Sequence, residues 1–462
     1  MLNINVVMIE NLDEKAPFII QKQMIFYGRT HLIQVNNTFY LTVGMNKTEK
    51  TMEDIRFLGG ETRKAIDTYD ITSVSINFDR LFKHYTSYSN KDIVVSFMEG
   101  WYLAGYSFLT YQMREPEHEV SLQLGTQAYE YYAEVARVRA NAVCIARDLC
   151  NEPANKLTPN TYVKKIRSIF HDSPVHVEIL ESEEDLLKHG LEATAIVGKG
   201  SSRSPKFAVL TLKNSNVSHI GLVGKGVTFD SGGTNSKIAS DIGEMKMDMG
   251  GSAAVIGAMK LLADMESPVH VTAAVPIVEN VCGKDAFLPS DVIKYRNGLT
   301  VEVGNTDAEG RLIVADGILY IQDLGADTII DIATLTGTIG QALGLKVAGI
   351  FSNRENELWK YKELGDKTGD HVWPMPVIND YQYYLQSNTA DFSNMSSSKF
   401  GGAITAALYL NNFIQEEKKW IHIDMANTVR PWREIGYYVS GASGFGVRLL
   451  TELILEEVGN KT

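Results

Sequence analysis

Strand-like and helix-like segments alternate after about residue 159, which predicts an α/β protein whose larger, C-terminal domain has a mostly parallel central sheet flanked by helices. Two further observations frame that reading. A chain of 462 residues exceeds what one hydrophobic core usually serves, and strand-like runs before about residue 120 predict a smaller α/β domain in front. The division expected is residues 1–150 for the small domain with its connecting helix, and 151–462 for the catalytic domain.

In chain order, NINVVMIE (3–10), TFYLTVGM (38–45) and ITSVSINF (71–78) read as strands, and IVVSFMEGWYLAGYSF (93–108) reads as a helix. From Thr126 to Asp148 the composition is alanine-rich without Gly or Pro, and the run meets Asn151, Glu152 and Pro153, where helices tend to stop. Beyond Pro159 the strand candidates are HIGLVG (219–224), VHVTAAV (269–275), LTVEV (299–303), TIIDIA (328–333) and WIHIDM (420–425). Between them GGSAAVIGAMKLLADME (250–266) and GRLIVADGILYIQDL (310–324) repeat apolar residues at helical spacing. Ligands in such sheets sit at the carboxyl ends of strands, where Lys225 and Asp307 follow two of these candidates.

Bulk properties exclude several classes. The apolar fraction is 44% and the charged fraction 22%, and no segment reaches the ~20 apolar residues of a membrane span. The first fifteen residues carry Glu10, Asp13, Glu14 and Lys15 and lack a secretory pattern, so a cytoplasmic protein without a membrane partner is expected. With 44 basic against 56 acidic side chains the net charge is -12, which opposes nucleic acid as a partner. Cys144, Cys150 and Cys282 show no CxxC spacing, so neither a disulfide framework nor a zinc knuckle is implied and buried thiols are expected.

Chemistry concentrates in two runs, GKGVTFDSGGTNSK (224–237) and NTDAEGRL (305–312). With Asp248 they supply Lys225 and the carboxylates of Asp230, Asp248, Asp307 and Glu309. Hard divalent ions need anionic oxygens, and a bridged pair needs carboxylates to span it. Gly224, Gly226, Gly232 and Gly233 let the first run fold tightly around Lys225 and Asp230. It is neither a phosphate loop, since Gly226 follows Lys225, nor a dinucleotide fingerprint, whose third glycine would fall at Phe229. An HExxH pattern fails after His118 and Glu119, and no GxSxG occurs, so histidine does not organise this centre. Spacing by two suggests an extended backbone that sets Asp307, Glu309 and Arg311 on one side. A phosphoester substrate is opposed by the scarcity of clustered Arg and Lys beyond Lys225, Lys237 and Arg311.

These residues resemble the leucyl aminopeptidase family, whose diagnostic NTDAEGRL is intact. The likeness continues through NEPANKLTP (151–159), VGKGVTFDSGG (223–233), KMDMGGSAAV (246–255), ATLTGT (333–338), WPMP (373–376), ADFSN (390–394) and SGFGVRLL (443–450), and is faint before residue 140. It implies two divalent ions per subunit, Mn or Zn foremost with Co or Mg as alternatives. Asp230 and Glu309 would bridge them, Lys225 and Asp248 would complete one site, and Asp307 the other. Lys237 and Arg311 would be catalytic, Arg311 holding a bicarbonate, and Met245, Thr334 and Gly337 would line the pocket for the first side chain. The implied reaction is release of N-terminal residues, leucine-like ones preferred, from peptides with a free N-terminus, through attack by a hydroxide between the ions. The implied assembly is a homohexamer. One departure stands inside the first run: Thr234, Asn235 and Ser236 replace the small or aliphatic residues usual in the family, making this loop more polar.

Overall fold

The computed structural model describes residues 3–113, 120–238 and 241–459, so His118 and Glu119 lie outside the described residues. The chain forms two compact units. One comprises Met1–Cys144, Asp366–Gly369 and Arg433–Gly441, the other Ile145–Gly365, Asp370–Trp432 and Ala442–Thr462.

In the first unit, β1 (Asn3–Ile9), β2 (Thr30–Val35), β3 (Thr38–Gly44), β4 (Ser73–Ile76) and β5 (Ser121–Gln123) form one sheet in the order β2-β3-β1-β4-β5. β2 and β3 pair antiparallel and the remaining pairs are parallel. Helices Met52–Thr68 and Asn90–Ala104 pack together and bury Leu58, Ile66, Val94 and Phe97 in a core with Ile4, Val6 and Val74. The three predicted strands fall on β1, β3 and β4. The predicted helix begins earlier, after the Ser89 cap, and stops at Ala104. The connecting helix runs Gln127–Asn151. β2 and helix Met52–Thr68 were not anticipated from the pattern.

The second unit adds β6 (His176–Leu180), β7 (Lys206–Lys213), β8 (His219–Gly224), β9 (Gly226–Asp230), β10 (His270–Asn280), β11 (Val292–Lys294), β12 (Thr300–Glu302), β13 (Thr328–Ala333), β14 (Ala348–Ser352), β15 (Val372–Pro374), β16 (Phe392–Ser393) and β17 (Lys419–Asp424). The main sheet is ordered β15-β14-β17-β13-β8-β10-β7-β6, with β9 paired to β10. Its centre, β17-β13-β8-β10, is parallel throughout, while β7 is antiparallel to β10, β6 to β7, and β14 to β17, with β15 parallel to β14. Helices Gly250–Asp264 and Glu309–Asp323 pack on β8, β10 and β13. All six residues of β13 are buried; Ile329, Ile330, Ile332 and Ala333 supply its apolar surface, and Asp331 accepts from Trp420 Nε1 at 2.7 Å.

One strand assignment is corrected. The run 299–303 yields β12, which belongs to a separate small sheet ordered β11-β12-β16 rather than to the main one. Only Val301 is buried in it, between half-exposed Thr300 and Glu302, an alternation suited to a sheet with one covered face.

Candidate metal centre

The carboxyl ends of β8 and β13 lie in register at Gly224 and Ile332, and the Lys225 N–H donates to the Ile332 carbonyl at 3.2 Å. Asp230 ends β9, and Asp248 closes the turn Ile242–Met247 ahead of helix Gly250–Asp264. Gly232 and Gly233 take φ of 87° and 64°, which fits the tight fold expected there, whereas Gly224 and Gly226 are not among the positive-φ residues.

The second run is not extended. Thr306–Ala308 is a short turn and Glu309 is the first residue of helix Glu309–Asp323, so the expectation of a pleated Asp307-Glu309-Arg311 is corrected. The reason is local. Asn305 Oδ1 accepts the Asp307 N–H at 2.7 Å, and Asn394 Oδ1 accepts the N–H groups of Gly304 and Asn305 at 2.8 and 3.2 Å. Side chains thus take the amides a neighbouring strand would have used, and a helix starts.

This turn gathers the acids. Ligand-competent oxygens of Asp230, Asp307 and Glu309 all lie within 4.8 Å of one another. Lys225 Nζ sits 2.8 Å from Asp248 and 3.1 Å from Glu309, and Lys237 Nζ sits 2.8 Å from Asp230 and 2.5 Å from Asp307. Four carboxylates therefore share two ammonium groups. Burial, reinforced by the neighbouring Asp230 charge, pushes the Glu309 carboxyl up to about 8; burial likewise takes Asp248 up to about 6 against the pull of Lys225. Burial also raises Asp307. For both lysines burial works against the charged form, yet the surrounding carboxylates outweigh it and hold both amines protonated. Asp248 Oδ2 and Asp307 Oδ1 are shielded oxygens that face only the ammonium groups of Lys225 and Lys237, at 2.8 and 2.5 Å, among the described residues. Crowded hard oxygens short of positive charge are what divalent cations satisfy.

Three asparagines to which the motif reading gave no role in the site tie the runs together. Asn280, fully buried at the end of β10, donates its amide to Asp230 Oδ1 at 2.8 Å, to the Thr306 carbonyl at 2.9 Å and to Glu309 Oε2 at 3.4 Å. Asn235, in the polar loop, accepts the N–H and hydroxyl of Thr306 at 2.9 and 3.1 Å. Asn394 donates back to the Asn305 and Ala308 carbonyls at 2.8 and 3.2 Å.

A family model described as the cytosol aminopeptidase family, catalytic domain, matches residues 144–451. The chain belongs to the cytosol aminopeptidase family. Its relatives include a probable cytosol aminopeptidase of Rickettsia felis, 35% identical over 95% of this chain and 91% of that protein. The cytosol aminopeptidase of Rickettsia prowazekii is also 35% identical, over 90% and 85% of the two chains. Among solved structures, the bottromycin maturation enzyme BotP is similar at a TM-score of 0.88 and 26% identity, covering 99% of this chain and all of that one; a structure of the same enzyme in complex with Mn gives the same score and identity. As a family member the protein is a hydrolase, a metal-dependent aminopeptidase.

The aminopeptidase cluster opens into a cavity of about 510 Å³. Met245, Thr334 and Gly337 lie on its wall together with Lys225, Asp230, Lys237, Asp248 and Asp307. Thr334 does more than line it, since its hydroxyl donates to Asp248 Oδ1 at 2.8 Å and its carbonyl accepts from Lys225 at 2.8 Å. Arg311 stands apart from the cluster. Its Nη1 donates to the Asn394 carbonyl at 2.9 Å, its Nε is buried without an acceptor, and its guanidinium lies 6.0 Å from the Tyr409 ring centre. Burial lowers its pKa, although a guanidinium stays charged. The expectation of buried thiols holds for Cys150, but Cys282 is exposed and Cys144 half-buried; none of the three forms a disulfide among the described residues.

Proposed function

We propose that the protein removes the N-terminal residue from peptides with a free amino terminus, leucine-like residues foremost, at a dinuclear centre in residues 151–462 held by Lys225, Asp230, Asp248, Asp307 and Glu309. The observation that carries this is the buried set of four carboxylates sharing two amines. Such oxygens with one amine suit Mn or Zn, and accept Co or Mg. When bound, the ions would supply a solvent nucleophile of lowered proton affinity and polarise the scissile carbonyl.

The chain's own groups divide the remaining work. Lys225 would lose its proton to become a ligand, so metal loading releases a proton and strengthens as pH rises. Lys237, only partly exposed on the cavity wall, would present an ammonium to the carbonyl oxygen as it gains charge; such a donor is worth roughly 100 to 1,000-fold in rate. Arg311 cannot act as a base. Its unpaired Nε and the absence of a carboxylate partner among the described residues support an anion there, a bicarbonate that would take up and return a proton. Met245, Thr334 and Gly337 would receive the first side chain. At Gly337 an added Cβ would meet nothing within 4 Å, so glycine leaves that space to the ligand. A free α-amine among these acids restricts cleavage to chain ends.

A homohexamer in the cytoplasm completes the reading. The word cytosol in the family's description supports the compartment, and the hexamer rests on the family resemblance alone. The test is leucyl anilide hydrolysis by chelator-stripped protein before and after Mn or Zn is restored, with metal content measured in parallel. Activity returning at about two ions per chain, and none on the N-acetylated substrate, is expected. Turnover of the acetylated substrate, or turnover indifferent to chelation, defeats the proposal.

A further inference from the structure

Charged residues of the cavity fall into two groups. Lys225, Lys237 and the acids answer one another at the metal end; beyond them the lining carries one further acid and one further base, Glu244 and Arg430. The rest of the lining is largely apolar, with Met245, Met247, Leu335, Leu345, Ala426 and Val429 beside the uncharged polar Thr334, Thr336 and Asn427.

Building on the aminopeptidase reading of this cavity, we propose that Glu244 determines specificity by receiving the cationic end of a lysine or arginine at the substrate's N-terminus, and that Arg430 occupies its place in the free enzyme. Arg430 Nη1 lies 3.0 Å from Glu244 Oε2, yet that oxygen is shielded and has no aligned hydrogen-bond donor among the described residues. The guanidinium meets that oxygen's charge without an aligned hydrogen bond, so the pair falls short of a charge-assisted bond. The ammonium or guanidinium of a substrate would supply one.

The two partners are not equally held. Glu244 belongs to the turn Ile242–Met247 that also carries Met245, and its side chain is 38% exposed. Arg430 lies in a bend after β17 and is 54% exposed. An ion pair at this exposure is weak and screened by salt, so the freer Arg430 can swing into water at little cost. The aliphatic stem of lysine or arginine would run along the Met245, Leu335 and Val429 wall, which equally suits leucine. An acidic side chain reaching Arg430 would instead lie beside Glu244, where like charge opposes it.

The test compares kcat/KM of the metal-loaded protein for arginyl, lysyl, leucyl and glutamyl anilides. Glu244→Gln should lower the arginyl-to-leucyl ratio about tenfold. Arg430→Glu alters the exposed partner without touching Glu244 and should raise that ratio several-fold. Metal content and thermal midpoints establish that each variant is folded. A ratio unmoved by both variants, or a glutamyl preference abolished by Arg430→Glu, overturns the subsite. Failure of wild-type protein to cleave even the leucyl substrate removes the aminopeptidase reading, and the subsite with it.

Discussion

Two helices of the second unit start beside a buried carboxylate, and the two carboxylates are treated in opposite ways. At helix Val447–Gly459, Asp370 accepts from Arg448 Nη2 at 2.7 Å and from the N–H groups of Gly446 and Leu449 at 3.2 and 3.3 Å. At helix Glu309–Asp323, Glu309 faces Lys225 at 3.1 Å and the Asn280 amide at 3.4 Å, but shares that space with Asp230 and Asp307 and is driven up to about 8. Both are buried charges at helix N-termini. One is met by a cation and two backbone donors and the other is crowded by like charge, the contrast expected between a carboxylate kept for stability and one kept for chemistry.

Removing each carboxylate separates the two roles. Glu309→Ala should abolish metal loading and reduce peptidase activity by more than roughly 1,000-fold, with little loss of fold because a strained acid has gone. Metal analysis finding full occupancy in that variant refutes its bridging role. Asp370→Ala should do the reverse. Removing one partner of the buried Asp370–Arg448 pair costs about 3–5 kcal/mol, seen as a lower unfolding midpoint, while the folded protein keeps its metal content. Metal loss without destabilisation in the Asp370 variant would dissolve the contrast.

The same contrast explains what could be read from the residues alone. The acids and lysines of the centre announce themselves, since charged side chains crowd two glycine-bearing runs placed after strand-like segments. Their conformation did not. Spacing by two favoured a strand at 307–311, and the helix found there depends on Asn394, more than eighty residues away, accepting two backbone amides. Asn280 carries no charge and closes an apolar strand; its one signal was a polar residue at a strand's carboxyl end. In the first unit, helix Met52–Thr68 carries Gly59 and Gly60 near its middle, where local propensity disfavours a helix. Gly59 is there because a Cβ would lie 1.9 Å from the Phe97 carbonyl oxygen of the adjacent helix. Elements set by tertiary approach are the ones that local pattern conceals.

Asn280 sharpens the comparison from the neutral side. If its amide orients Asp230 and Glu309 for metal, Asn280→Ala should weaken metal affinity by about 10 to 100-fold in calorimetric titration, the range for partners that orient ligands. Unchanged affinity with lower stability would make it a structural residue like Asp370.

The smallest effect comes from an acid lying between the two cases. Asp316, two turns after Glu309 on the same helix, accepts from the Thr194 N–H and hydroxyl at 2.7 and 2.8 Å through Oδ2, while Oδ1 is buried without a partner among the described residues. Burial pushes its carboxyl up to about 7 in spite of those two bonds. Between about pH 4 and 7 the folded protein therefore keeps a proton that the unfolded chain has lost. Stability contributed by this group is complete below the unfolded value and fades as pH rises through the folded one. Asparagine at 316 is neutral at every pH and can still accept from Thr194. Asp316→Asn should therefore match the parent near pH 4 and exceed it by about 1–3 kcal/mol at pH 8, below the ~4 kcal/mol that a shift of roughly three units would give. Titrations of the clustered acids at the cavity are common to both proteins and cancel in the difference. A gap that does not vary with pH would show that Asp316 is already fully compensated and belongs with Asp370, leaving Glu309 and its neighbours as the only strained acids of that helix.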